Sequence, residues 1–113
     1  MGERFEPTAF ERAVARFNAS EAGHIVTGLT RTLGTPRASI GAAAGAGDEV
    51  RVTVAWELSW YQWGVAVGGE LRPVAEIGKG SEISQLDAAA RQWNASVSSD
   101  GRLHLAGEPM VSR

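Results

Sequence analysis

The sequence predicts one α+β domain: an antiparallel sheet of three to five strands with helices packed on one face, in the order ααβ(β)ββαβ. Three observations carry this. Apolar residues recur at helical spacing near both ends of the chain. Between them, residues 50–60 alternate with period two. The strand-like stretches are joined by links shorter than the dozen or so residues that a parallel crossover needs, so neighbouring strands run antiparallel.

The elements follow in order. Thr8 and Glu11 have capping-box spacing, and Phe10, Ala13, Val14 and Phe17 form one face of a first helix. Ser20 is a good N-cap for a second helix with the stripe Ala22, Ile25, Val26, Leu29 and Leu33, stopped by Gly34 and Pro36. Gly23 and Gly28 each weaken that helix by about 1 kcal/mol relative to alanine, and close approach by another element would explain them. Residues 37–44 alternate weakly, as a short strand of small side chains or an irregular link, and residues 45–48 form a turn.

Val50, Val52, Val54, Trp56, Leu58 and Trp60 then share one strand face, with Arg51, Thr53, Ala55, Glu57 and Ser59 on the other. After Trp60 the apolar phase shifts to Tyr61, Trp63, Val65 and Val67, which requires a bulge, bend or tight turn near Ser59–Gln62. Gly68 and Gly69 make a hairpin turn into a strand over Leu71–Ile77, where Pro73 indicates an edge or a bulge. Gly78, Lys79 and Gly80 close that stretch. Ser84 and Asp87 open a last helix with the stripe Leu86, Ala89, Ala90, Trp93 and Val97. Asp100 and Gly101 turn into a short strand through Leu103 and Leu105. The expected core is Phe10, Val14, Phe17, Ile25, Leu29, Val52, Val54, Leu86 and Trp93.

The 113 residues suit a single domain over the whole chain, with 1–6 and 108–113 frayed. The formal net charge of −2 argues against a dedicated nucleic-acid binder, although Arg12, Arg16 and Arg31 lie on two successive helices. Only Lys79 among eleven basic residues is a lysine, a bias typical of GC-rich bacterial genomes. There is no cysteine, which removes disulfides, thiolate metal sites and a thiol nucleophile. Neither a signal segment nor an apolar run near the roughly 20 residues of a membrane span is visible, so a soluble cytoplasmic protein is expected, with no membrane partner.

No chemical motif is complete. The glycine-alanine stretch lacks the residues of a phosphate loop, and Ser59, Ser81 and Ser84 have no nucleophile context. His24 and His104 lack metal-ligand spacing, and Glu57 reads as a solvated carboxylate or the partner of Arg51 or Arg72. Neither catalytic residues, a metal nor a cofactor is implied. The sequon matches at Asn18 and Asn94 carry no weight without a secretory signal.

The unusual feature is aromatic. Trp56, Trp60, Tyr61 and Trp63 fall within eight residues, and Trp93 follows on the last predicted helix. Trp56, Trp60 and Trp93 most simply pack in the core, and they are also the candidates for a small-ligand pocket between sheet and helices. If the strand continues through the phase shift, Tyr61 and Trp63 emerge on a face that the helices leave open. They are then the candidates for an interface, with the chain itself as a homodimer or with another protein. The expected role is a non-catalytic protein-association domain; a ligand-binding domain is the alternative.

Overall fold

Ser20 organises the start of the chain. Its hydroxyl donates to the Phe17 carbonyl (2.7 Å) and accepts from the Gly23 amide, so one side chain ends helix α1 (Ala9–Ala19) and caps helix α2 (Glu21–Leu33). Gly23 lies where the helices meet: a Cβ there would stand 2.6 Å from the Phe17 carbonyl oxygen, the close approach that its presence suggested. Gly34, at φ +94°, closes α2 through its amide to Thr30, and Pro36 follows. The computed structural model describes residues 9–42, 49–67 and 74–105. The Thr8 cap, the 45–48 turn, the Gly68–Gly69 turn, Pro73 and the tail beyond 105 lie outside them.

The strands are β1 (Arg37–Ala42), β2 (Glu49–Trp56), β3 (Ser59–Ala66), β4 (Val74–Gly80), β5 (Ala95–Val97) and β6 (Leu103–Leu105). They form one six-stranded sheet in the order β4-β3-β2-β1-β5-β6, every described pairing antiparallel. The α+β class and the helices on one face are as predicted; the sheet is one strand wider. No helix among the described residues is long and apolar enough to cross a membrane.

The helices cover the face bearing Val50, Val52, Val54, Trp56, Trp63 and Val65, with Ala38 and Ile40 from β1 and Ala95, Val97 and Leu103 from the short strands. Ala13 and Phe17 of α1 and Ala22 and Val26 of α2 seal it. Phe17, Val52 and Val54 are buried as expected, while Phe10, Val14 and Leu29 are half-buried. Ile25 departs from expectation. It is 42% exposed, because Ala22, Val26 and Thr30 make the buried face of α2.

The last predicted helix is the main correction. Segment 81–94 forms two 3₁₀ turns, Ile83–Gln85 and Ala89–Arg91, which cross the opposite face of the sheet before the chain enters β5. Leu86 and Ala90 pack there with Ala55 and Trp60, so the helix-like stripe is split between two faces: Leu86 on one, Val97 on the other. Trp93 ends the segment at φ +49°, the left-handed region, where an α-helix cannot continue.

Candidate functional site

The aromatic strand is positioned by a two-residue turn. Trp56 pairs with Ser59, Val54 with Tyr61 and Val52 with Trp63, so the chain reverses at Glu57 and Leu58. Residues paired across antiparallel strands share a face. The phase shift is therefore a hairpin, two residues earlier than the expected Ser59–Gln62, and the strand does not run on. Tyr61 and Trp63 consequently lie on the helix-covered face, which corrects the expectation that they emerge on an open one. Trp63 is 2% exposed and meets the Phe17 ring edge-on at 5.1 Å. Tyr61, half-buried, stacks on Trp63 at 5.7 Å and meets Trp56 edge-on at 6.2 Å.

The pocket candidates are likewise separated. Trp56 is on the helix face, its indole N–H donating to the Gly34 carbonyl at 2.7 Å. Trp60 is on the other face, its indole N–H donating to the Glu82 carbonyl (2.9 Å) and reaching Gln85. Trp93 is half-buried beside that second cluster, under the Arg37 guanidinium at 4.5 Å. The sheet stands between Trp56 and the other two, so the three line no common pocket.

Polar chemistry on the second face is structural in geometry. Arg51 forms a two-pronged ion pair with Asp87 (2.9 and 3.2 Å), not with Glu57, which sits exposed in the hairpin turn. Asp87 also accepts from the Ala90 amide at 2.8 Å. The Arg51 hydrogen bond, then the Ala90 amide, holds the Asp87 carboxyl below its ordinary pKa. His24 and His104 are both exposed, and His104 Nε2 lies 3.4 Å from the Ser98 hydroxyl. No group of three or more metal-ligating side chains comes together among the described residues.

The two sequon asparagines turn out to do the same job. The Asn94 carboxamide accepts from the Ile40 amide (2.8 Å) and donates to the Ile40 carbonyl (2.9 Å), extending the β1–β5 ladder by a side chain. Asn18 does this for Leu103, accepting from its amide (2.9 Å) and donating to its carbonyl (3.0 Å). Leu103 belongs to β6, the last strand of the sheet, so Asn18 occupies backbone groups that an added strand would use.

The opposite margin is built differently. Among the described residues β4, seven residues long, ends the sheet, with Ala75, Glu76, Ile77 and Lys79 exposed. Two open depressions flank it. One, of about 210 Å³, runs between α2 and β4 and is lined by Ser20, Glu21, Ile25, Trp63, Val74 and Glu76. The other, of about 380 Å³, is lined by Ser59, Trp60, Tyr61, Lys79, Gly80 and Ser81. The aromatic residues of β3 thus form walls of depressions along β4 rather than an exposed platform. No motif in the sequence marks β4 as a site; Pro73 predicts only an edge or a bulge there. Comparison of the chain with protein-family models, curated proteins and solved structures finds no match.

Proposed function

We propose that the chain is a non-catalytic protein-association domain that joins a second copy of itself through the margin of the sheet made by aromatic strand β3 and edge strand β4. The observation that supports this is the contrast between the two edges. The β6 edge is three residues long and has Asn18 docked on Leu103. The β4 edge is seven residues long, borders depressions walled by Trp63 and Tyr61, and carries Ile77 at 52% exposure. Long edges with unpaired N–H and C=O groups are templates for pairing unless the protein covers or shortens them.

Sedimentation equilibrium across a wide concentration range tests the reading, with hydrogen exchange on the same samples. A dimer is expected, with β4 amides exchanging more slowly as its population rises. A chain that remains monomeric at the highest concentration reached overturns the reading.

A further inference from the structure

The bulge in β4 sets how two copies would meet. Gln62 of β3 pairs with Gly78, and its neighbour Trp63 pairs with Glu76, so Ile77 is the extra residue. Counted along the sheet, Glu76 and Ile77 together occupy one rung. This places Glu76 and Lys79 on the same face, because Glu76 is opposite Trp63 and Lys79 opposite Tyr61, both of the helix-covered face. Without the bulge, residues three apart would point to opposite faces.

From this geometry, and resting on the association reading above, we infer that the second copy pairs with β4 antiparallel about a two-fold axis at Gly78, with Glu76 of each copy opposite Lys79 of the other. A two-fold normal to an antiparallel pair must pass through a rung, so one residue faces itself. With Gly78 at the axis, the rung of Glu76 and Ile77 faces Lys79 of the second copy, and Ala75 faces Gly80. Every rung then matches face to face. Neither Glu76 nor Lys79 has an ion pair among the described residues, and both are exposed. The depressions follow the same complementarity. The one rimmed by Glu21 and Glu76 comes beside the one rimmed by Lys79 of the second copy. The result is a continuous twelve-stranded sheet with helices of both copies on one side.

Two sets of variants test the register. Glu76→Lys and Lys79→Glu each place like charges across the seam twice, and each weakens the dimer by about tenfold. The double reversal restores it. Independently, Gly78→Cys puts one thiol at the axis of a chain that has no other. A Cβ at Gly78 meets only ordinary contacts, the nearest at 3.5 Å, so the fold tolerates it. Oxidation should link Gly78→Cys chains rapidly, whereas Ala75→Cys, four rungs from its own copy, should not link. A dimer indifferent to both charge reversals, or one that links at position 75 and not at 78, overturns this register while leaving self-association standing. A monomer at all concentrations overturns both.

Discussion

Replacing Asn94 probes how the chain re-enters the sheet after segment 81–94. Two hydrogen bonds join its carboxamide to the amide and carbonyl of Ile40, a residue only 2% exposed. A typical intramolecular hydrogen bond contributes about 0.5–1.5 kcal/mol net, so losing both costs about 1–3 kcal/mol. Asn94 itself is exposed, and water can reach the vacated groups, which favours the lower half of that range. Asn94→Ala should therefore lower stability by about 1–2 kcal/mol, read as a shift in urea midpoint at unchanged slope. Asn94→Asp sharpens the test. Its ionised carboxylate keeps an acceptor for the Ile40 amide but faces the Ile40 carbonyl with no proton to donate. The protonated acid restores the pattern, so folding raises the pKa of the new group above its unfolded value of about 3.9. A raised folded pKa means the contribution is full below the unfolded value and is lost as pH rises through the folded one. Asn94→Asp should thus approach the parent in acid and fall to the alanine variant near neutrality. Alanine within half a kcal/mol of the parent, or aspartate tracking alanine at every pH, refutes the reasoning.

Other substitutions separate packing from association. Trp63→Ala removes a ring packed between Phe17 and Tyr61 and should cost about 3–5 kcal/mol in urea unfolding, a fold defect first and a loss of dimer only in consequence. Gly28→Ala meets nothing within 4 Å and should stabilise α2 by about 0.5–1 kcal/mol, while Gly23→Ala, 2.6 Å from the Phe17 carbonyl oxygen, should destabilise it; thermal melts give both signs. Asp87 has its carboxyl pKa lowered by Arg51, so its stabilisation is present above the unfolded value and fades as pH falls through the lowered one. The stability gap between the parent and Asp87→Asn should accordingly be widest near neutrality and close in acid.

The first half of the fold is legible because its signals are local. Ser20, Gly34 and Pro36 bound α2 where capping chemistry places them. The β2 alternation from Val50 to Trp56 survives intact in the helix-facing core. The hairpin that decides the aromatic strand is not legible, and the reason is specific. Two-residue hairpins favour Asn-Gly or Asp-Gly because primed turns need positive φ. Here the turn is Glu57–Leu58, and neither residue has positive φ. Leu58, 79% exposed at the tip, also mimics the next apolar residue of an uninterrupted strand. The period-two pattern therefore reads straight through the reversal, and the apparent phase shift appears two residues late.

Segment 81–94 misleads for a different reason, one that also accounts for the site. The spacing of Leu86, Ala90, Trp93 and Val97 satisfies a helix, yet the sheet has two faces to cover and α1 and α2 occupy only one. A straight helix of that length would bury its stripe on a single face and leave Val97 unable to join β5. The 3₁₀ turns instead lay Leu86 and Ala90 over Trp60. Trp93 then turns the chain at positive φ, its amide bonded to the Ser39 hydroxyl at 2.8 Å and its ring under Arg37, before Asn94 docks on Ile40. Long-range partners on β1, not local propensity, thus decide that conformation. The same economy governs the edges. Covering the two faces occupies α1, α2 and the 3₁₀ segment, and Asn18 serves β6. β4 is the strand whose outer side no such element occupies, and its bulge, which brings Glu76 and Lys79 to one face, makes that side complementary to itself about Gly78.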